Sequence, residues 1–460
     1  MQVITQRTDL ITGAAISAAT VTALINRQLG TPAIVPRFRV CDITRNRLPV
    51  MGNKPSTYDA SNLLPWDPSD IGPLCSNDSC TYANDVSKVS PRSLQFVMAH
   101  PRYDPTYSKV PFPYDPLNNL IEFSIVYKTA NLTLEVKQGY YKCLMPDVDI
   151  SPGVSIYHWV LSDLLSLTAR PLISDWTVDV QYAGGYNQAM TDMLTSSGTP
   201  LSTGGSGQTP QGNDDCGPSI PRALISINPT GNQAVPFPIL FKAGSIRIAN
   251  INQLADFQNF YPMWVDENAR MTTSQSVLYS NGPFPVGWDY STLPASSIVD
   301  VPINRTFGQD ADGRVCNVAK IVCSQTTSSS VGGGQDFSAT VTNTNPNSVV
   351  SLVNLKGLDG NPRGLPYFEN KSNLPTQAMV DLYAKRCLQL GAMLPETVTF
   401  TTAINPFHQN RDLLLLQVTD KMQNVLIPSS PISLFEEQSW SITFGANGGM
   451  QHVAMRTIAV

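Results

Sequence analysis

Histidine is the side chain most often used for catalysis or metal binding near neutral pH, and this chain has four, all far apart: His100, His158, His408 and His452. None lies in a His-Glu-x-x-His motif, and the chain has neither a Gly-x-Ser-x-Gly nucleophile turn nor a phosphate-binding glycine loop. His158 and Asp163 are five residues apart, a spacing that does not bring two side chains together on one helical face. We therefore expect no catalytic, cofactor-binding or metal-binding residues and a non-enzymatic protein. A glycosidase needs only two carboxylates, which no short motif marks, so a hydrolase remains an alternative.

The eight cysteines are spread thinly along the chain. Cys75 and Cys80 frame a short polar turn, Ser-Asn-Asp-Ser, and form the candidate disulfide. The same pair could supply half of a zinc site, but no second Cys or His pair in the sequence completes a tetrahedral set. Two free thiols fit this polar loop equally well. Cys387 lies in a helical pattern, where we expect it to be a small core residue.

The composition is poor in charge. Lys and Arg total 30 and Asp and Glu total 35, so the net charge is −5, and charged residues make up 14% of the 460 residues, against about 25% in ordinary soluble proteins. The near balance of charge disfavours nucleic acid as the main partner. A polar but weakly charged surface is typical of one that neighbouring subunits cover, because interface cores are depleted in charged residues. A β-rich extracellular protein would have a similar composition.

Four arginines cluster near the start of the sequence: Arg37, Arg39, Arg45 and Arg47. A cluster of this kind could contact nucleic acid. It is not accompanied by an aromatic stacking platform, which single-strand binding requires. A solvated face is therefore the more usual interpretation.

The run from Leu10 to Asn26 carries no charge, and many of its residues are Ala, Thr or Ser. It is 17 residues long, short of the about 20 strongly apolar residues that a membrane span needs, so we predict no membrane span. We expect residues 1–34 to form an N-terminal arm with a short helix. A secretory signal is the weaker alternative, since Asp9 lies where such a signal carries net positive charge.

Hydrophobic periodicity predicts a mainly β protein with an α+β insert. Alternation over 121–127 and 132–136 predicts strands, whereas the apolar spacing over 154–169 predicts a helix. Segments rich in Gly, Ser and Thr at 195–215 and 328–334 predict flexible loops. The other predicted elements are helices at 251–257 and 375–390 and strands at 176–180, 264–268, 398–400, 413–418, 439–444 and 450–458.

Three segments between residues 345 and 458 resemble the C-terminal part of the minor tail, or baseplate hub, proteins of long-tailed bacteriophages. Asn345-Pro346-Asn347-Ser348, followed by Ser351 and Gly357, is similar to an Asn-Pro-x-Ser…Ser…Gly stretch of that family. Arg386-Cys387-Leu388 is similar to the Arg-x-Leu that ends the family's Ala-rich helix. Gly449 to Ile458 resembles a closing Gly-x-Met-x-x-x-x-Arg-Arg strand, although this chain has only Arg456 there. The segment 38–48 resembles the family's opening hairpin.

The resemblance implies two tail-tube-type β-barrel domains plus a middle helix-and-strand domain. The implied divisions are an arm at 1–34, a first barrel at 35–150, a middle α+β domain at 151–340 and a second barrel, with a helix packed on it, at 341–460. It also implies a structural homotrimer, whose barrels form a pseudo-sixfold ring at the tail tip of the virion.

The resemblance further implies that the partners are the tail tube or distal tail protein, the tape measure protein and a central fibre or tip protein. DNA would pass transiently through the ring during genome ejection, without specific binding. Another virion β protein, such as a receptor-binding or capsid component, is the alternative, and a cell-wall hydrolase is the third.

Overall fold

The computed structural model describes residues 9–25, 33–42, 79–88, 90–101, 119–142, 147–151, 154–178, 184–195, 220, 222–227, 234–235, 238–266, 270–273, 287–290, 298–307, 315–324, 336–346, 348, 350–371, 374, 376–392, 396–416, 433–445 and 448–456. These residues form a mainly β fold with few helices, which confirms the fold class predicted from the sequence.

The first part of the chain contains helix α1 (Ala18–Ile25) and strands β1 (Ala33–Asp42), β2 (Thr81–Asp85), β3 (Arg92–Pro101), β4 (Asn119–Lys128), β5 (Thr133–Lys142), β6 (Asp147–Ser151) and β7 (Val154–Asp163). The middle part contains β8 (Trp176–Val178), α2 (Gly185–Thr195), β9 (Ile225–Ile227), β10 (Ile239–Phe241), α3 (Arg247–Phe257), β11 (Trp264–Val265) and β12 (Met271–Thr273). The last part contains β13 (Trp288–Asp289), β14 (Ile298–Phe307), β15 (Val318–Cys323), β16 (Phe337–Thr342), β17 (Pro366–Lys371), α4 (Gln377–Ala392), β18 (Glu396–Thr402), β19 (Leu413–Leu416), β20 (Ser433–Thr443) and β21 (Gly449–Arg456).

One large sheet joins strands from the first and last parts of the chain. Its strand order is β1-β4-β5-β7-β3-β2-β20-β21-β18-β14, with β6 paired to β7, β19 to β20 and β13 to β19. The contact between the two groups is the antiparallel pair β2–β20. The two groups of strands are therefore hydrogen-bonded into one sheet.

The first group of strands curls around an aromatic core. Three strands lie between β1 and β3 in the sheet order, and a flat sheet would hold them about 19 Å apart. The rings of Phe38 on β1 and Phe96 on β3 nevertheless lie 4.1 Å apart. Phe123, on the strand next to β1, stacks on Phe38 at 5.4 Å, and all three side chains are buried. The sheet therefore bends back on itself to enclose these rings.

The last group curls in the same way. Three strands also separate β18 from β13 along β18-β21-β20-β19-β13. Phe400 on β18 and Tyr290, the residue after β13, lie 5.8 Å apart between ring centroids. They share a core with Leu414 of β19, Phe435 of β20 and Ala454 of β21. Each group of strands thus encloses a core of its own.

The middle part has a third core between helices and short sheets. Apolar residues of α2, α3 and the 3-10 helix Leu164–Thr168 pack together with Trp176 of β8 and Phe241 of β10. The helix predicted at 251–257 is confirmed as the last two turns of α3. This part carries no strand of the large sheet.

Helix α4 confirms the helix predicted at 375–390 but packs on other strands than expected. We expected it to back the barrel that follows it in sequence. Instead, its apolar face meets the small sheet β16-β15-β17, where Val380 and Ala384 contact Ile321 and Ala339. Strands β15 and β16 begin before residue 341 and β17 lies after it, so α4 covers a sheet built from both sides of that limit. The domain limits given above stay predictions.

The helix predicted over 154–169 is wrong. Residues 154–163 form β7, which pairs with β3 and β6, and only Leu164–Thr168 is helical, as a short 3-10 turn. Trp159 and Leu161 are buried while Val160 between them is 60% exposed. This period of two is that of a strand, and it was masked by Ile156 and Leu164, which also fit a helical spacing.

The N-terminal segment packs back onto the first sheet. Asp9 forms a β-bridge with Val136 of β5, and its carboxylate accepts a hydrogen bond from the Glu135 backbone N–H. Val21 and Leu24 of α1 are buried in the first core. In the part of the chain that the structure describes, no helix combines the length and apolarity that crossing a bilayer requires.

Candidate functional site at the junction of the two curled sheets

Strand β20 is shared by the two curled sheets. One of its edges pairs with β19 through residues 433–436 and with β2 through residues 439–443, while its other edge pairs with β21. The register with β21 shifts between Glu437 and Ser439, so Gln438 is an extra residue, a β-bulge. At that point the Glu437 N–H donates to the Asp412 carbonyl, and the Gln438 carbonyl accepts from the Val86 N–H. The bulge therefore lies where β20 changes partner.

An aromatic cluster fills the junction between β2 and β20. Tyr82 of β2 packs edge-on against Trp440 of β20 at 4.9 Å, and its hydroxyl accepts a hydrogen bond from Tyr141 at 3.0 Å. Phe123 and Phe444 add a further edge-to-face pair at 6.2 Å. Pairs of this kind contribute about 0.5–1.5 kcal/mol each beyond their buried area. The two groups of strands are thus held together by side-chain packing as well as by backbone hydrogen bonds.

The loop 403–412 connects the last group of strands to the first group at a separate place. Its backbone accepts hydrogen bonds from first-group side chains: Gln138 donates to the Pro406 carbonyl at 3.0 Å and Tyr127 to the Ile404 carbonyl at 2.7 Å. Phe407 of the same loop is buried in the first core. The junction therefore resists bending at two points.

Next to the bulge lies a buried cluster of polar side chains. The Glu437 carboxylate contacts His408 Nδ1 at 2.6 Å through Oε2 and His452 Nδ1 through Oε1. The other ring nitrogens contact hydroxyls: Tyr290 at 2.5 Å for His408 and Thr402 at 2.8 Å for His452. Glu437 and His452 are fully buried, and His408 is 1% exposed. Strands β18, β20 and β21, the loop 403–412 and the segment after β13 each contribute one of these residues.

The electrostatics of this cluster follow from burial and from its histidines. Burial alone would raise the pKa of Glu437, but the charges and hydrogen bonds of His408 and His452 outweigh it and lower that pKa to about 2. Burial also lowers the pKa of His452 and raises that of Asp412, whose carboxylate accepts a hydrogen bond from Trp288 Nε1 at 2.8 Å. The cluster therefore presents a carboxylate between two imidazoles.

The sequence analysis predicted no metal-binding residues, yet within the described residues three of these side chains could together hold a metal ion. His408, Glu437 and His452 each offer a ligand atom, and these atoms lie within 4.8 Å of one another. The histidines are distant in sequence, so no motif joins them. One signal was present: His452 shares the inward face of β21 with Met450 and Ala454, and a histidine on an apolar face needs a buried partner.

Two arginines of the predicted basic cluster are neutralised. Arg37 pairs with Glu135 at 2.8 Å, and Arg39 pairs with both Glu122 and Glu135 at 2.8 Å. Lys137 lies 3.7 Å from Glu122 on the same face. These ion pairs bind β1 to β4 and β5 rather than presenting a free basic surface. Arg45 and Arg47 lie outside the described residues.

The structure does not bring His158 and Asp163 together. His158 is exposed and contacts Asp149 at 2.9 Å, whereas Asp163 is buried and caps the 3-10 helix by accepting from the Leu165 N–H. Burial raises the pKa of Asp163. Cys80 is buried, but Cys75 lies outside the described residues, so the candidate disulfide stays a prediction.

No family model matches this chain, and no curated protein matches it. Among solved structures, it is similar to a tail protein from Neisseria meningitidis MC58, with a TM-score of 0.48 and 10% identity over 92% of this chain and 96% of that chain. It is also similar to the 43 kDa tail protein of prophage MuSo2 from Shewanella oneidensis, with a TM-score of 0.45 and 10% identity over 83% and 94% of the two chains.

A third similar structure is a chain of the half-lidded Francisella PdpA–VgrG complex, with a TM-score of 0.47 and 9% identity over 93% of this chain and 58% of that chain. The solved structures that this chain is similar to thus include tail proteins, one of them from a prophage.

Proposed function

We propose that this chain is a structural, non-enzymatic hub protein of a bacteriophage tail, which assembles as a homotrimer into a pseudo-sixfold ring at the tail tip of the virion. The observation that supports this most is strand β20, which holds two curled sheets in a fixed relation within one chain. Three such chains arrange six curled sheets around a threefold axis. Closed symmetry of this kind leaves no unmatched contact surface.

The composition supports the same assignment. With only 14% charged residues, the chain suits a ring in which neighbouring copies cover much of the surface. The net charge of −5 suits a bore that DNA crosses without being held, because affinity for the DNA backbone comes from Lys and Arg contacts. Arg37 and Arg39, paired with Glu122 and Glu135, are not free for such contacts.

The proposed ring joins components of different symmetry. Its sixfold side binds the tail tube or the distal tail protein, and its threefold side binds a central fibre or tip protein. The tape measure protein ends at the bore, which it vacates before DNA passes. A cell-wall hydrolase or a receptor-binding role would instead require a substrate or carbohydrate site on the isolated chain.

The test is the mass and symmetry of the purified chain, followed by its position in virions. We expect a particle of about 150 kDa, three times the 50.0 kDa chain, that averages with threefold symmetry in electron micrographs. In virions, an antibody against the chain should label the tail tip. A stable monomer at all concentrations, together with labelling of the capsid or of a fibre end, would contradict the proposal.

Enzymatic activity is tested separately. The purified chain should leave the turbidity of a peptidoglycan suspension unchanged and should not bind host surface carbohydrate. Turbidity loss that one carboxylate substitution abolishes would establish a hydrolase. Carbohydrate binding by the isolated chain would favour a receptor-binding protein.

A further inference from the structure

The buried cluster at the β20 bulge has an unusual arrangement of hydrogen-bond donors and acceptors. Thr402 Oγ1 donates to the Ala403 carbonyl at 3.0 Å, so the hydroxyl is available as an acceptor for His452 Nε2 at 2.8 Å. In the neutral ring this places the proton on Nε2 and leaves a lone pair on Nδ1. That lone pair points at a Glu437 carboxylate oxygen. Either a proton on Nδ1 or a metal cation between the two atoms removes the repulsion between these electron pairs.

The charges around the cluster also favour a bound cation. Glu437 and Asp412 are both buried carboxylates, and His408 Nδ1 lies 2.6 Å from the first and 3.6 Å from the second. Within the described residues, the cationic partners recorded for these two carboxylates are His408 and His452 alone. Arg411, the nearest arginine in sequence, pairs with Glu436 instead. A divalent cation would balance both carboxylates at once.

We propose that His408, Glu437 and His452 form a buried binding site for a divalent transition metal of the zinc class, with Asp412 as the flanking carboxylate. Two imidazole nitrogens and a carboxylate oxygen are a donor set that zinc prefers. Nothing in the proposed tail-hub function depends on this site, so either proposal can be wrong while the other is correct.

The surrounding side chains are suited to hold metal-ligating histidines. Each ring contacts a hydroxyl through Nε2, Tyr290 for His408 and Thr402 for His452. A hydroxyl can accept the Nε2–H that a ring carries when its Nδ1 binds a metal. Trp288 and the Gln409 N–H hold the Asp412 carboxylate by hydrogen bonds of 2.8 and 2.9 Å. The ligands are therefore oriented before an ion enters.

Binding would widen the cluster slightly. Ligand atoms of a tetrahedral zinc site lie about 3.3 Å apart, given bonds of about 2.0–2.1 Å. His408 Nδ1 and the Glu437 oxygen, now 2.6 Å apart, would separate by about 0.7 Å as the ion replaces the proton between them. Because the cluster is buried, the ion enters when the chain folds or when this region opens locally.

The test is metal content after folding with zinc. Wild-type protein expressed or refolded with zinc, then dialysed against metal-free buffer, should retain one zinc per chain by plasma mass spectrometry. Glu437→Gln and His452→Gln should retain less than one tenth of that amount. His158→Gln is the matched control, since His158 is exposed and pairs with Asp149 outside the cluster, and it should retain wild-type zinc.

A spectroscopic measurement keeps the proposal testable if a variant fails to fold. X-ray absorption of the zinc-loaded wild type should show nitrogen and oxygen ligands at about 2.0–2.1 Å and no sulfur at about 2.3 Å. The absence of zinc from the wild type, equal zinc in His452→Gln, or a sulfur shell that assigns the ion to cysteines would overturn the proposal.

Discussion

The ionised side chains on the inner strands of the first sheet act as structural pairs. Glu122 is 2% exposed and contacts Arg39 at 2.8 Å and the Tyr140 hydroxyl at 2.9 Å. Burial would raise its pKa, but Lys137 and Arg39 outweigh burial and lower that pKa to about 2. The same pairing raises the pKa of Arg39 well above its usual value, against the effect of burial. The pair is strong because each charge is enclosed with its partner.

This pairing makes stability depend on pH in a defined window. The folded pKa of Glu122 lies below its ordinary value of 4.5, so its contribution is complete above pH 4.5 and is lost as the pH falls towards 2. We expect Glu122→Gln to lower the free energy of unfolding at pH 7 by about 3 kcal/mol. The difference from wild type should shrink steadily between pH 4.5 and pH 2 in urea titrations.

The matched control is Asp149→Asn, which removes a carboxylate from an exposed pair with His158. An exposed pair contributes little, so this variant should unfold like wild type across the same range. A constant difference between Glu122→Gln and wild type from pH 7 to pH 2 would show that the Glu122 charge does not stabilise the fold.

At the scale of single elements, the decisive feature is the bulge in β20. Side chains on a strand alternate between faces, so one extra residue sets which face each half of β20 presents. With Gln438 in place, Phe435 faces the second core while Trp440 and Ile442 face the first. The bulge thus lets one strand supply side chains to two cores.

Deletion of Gln438 should therefore be far more damaging than its replacement. Joining Glu437 to Ser439 turns one half of β20 to the wrong face, and removing Trp440 alone from its core would cost about 3–5 kcal/mol. We expect the deletion variant to show no cooperative unfolding transition in urea when unfolding is monitored by tryptophan fluorescence. Gln438→Ala keeps the register and should stay within about 1 kcal/mol of wild type. Equal unfolding midpoints for the two variants would show that the bulge does not set the register.

The sequence predicted some elements and not others for identifiable reasons. Helix α4 was predictable because Met379, Leu382, Tyr383 and Cys387 recur at helical spacing and Gly391 lies close to its end. Strand β7 was not, because Trp159 and Val160 are adjacent apolar residues, one buried and one 60% exposed. Periodicity cannot separate a strand with an exposed valine from one face of a helix. The buried cluster was missed because its ligands come from distant segments.

At the scale of the whole molecule, a carboxylate of the middle part bridges basic side chains of β17 and α4, and Arg386 also donates to Asn259 Oδ1 at 3.4 Å. Asp256 of α3 contacts Lys371 of β17 at 2.9 Å and Arg386 of α4 at 3.0 Å. All three side chains are partly exposed, between 20% and 33%. Exposed pairs of this kind contribute about 0–1 kcal/mol. The contact therefore orients the two parts more than it stabilises either.

Asp256→Asn should accordingly change mobility rather than stability. We expect the free energy of unfolding to fall by no more than about 1 kcal/mol, while amide hydrogen exchange speeds up in α3 and α4. Asp266→Asn is the control, since Asp266 pairs with Arg270 within its own segment, and it should leave α4 exchange unchanged. Unaltered exchange in Asp256→Asn would show that other contacts hold the two parts.

The pairing between the first and last groups of strands could not be predicted from the sequence. Strand β2 pairs with β3 on one side and with β20 on the other, so the first sheet is completed by a strand from the last part of the chain. The local pattern predicts that Trp440 belongs to a strand, but not that this strand meets the one that carries Tyr82. Pairings between distant strands depend on tertiary packing, which periodicity does not encode.

The same strand pair delays maturation on the ribosome. The outer edge of β2 can find β20 only after about 350 further residues have been translated, which takes roughly 20–70 s. Until then the nascent polypeptide carries an open row of amides and carbonyls, which invites pairing with other nascent chains. Efficient production should therefore depend on a holdase chaperone or on slow, cool expression.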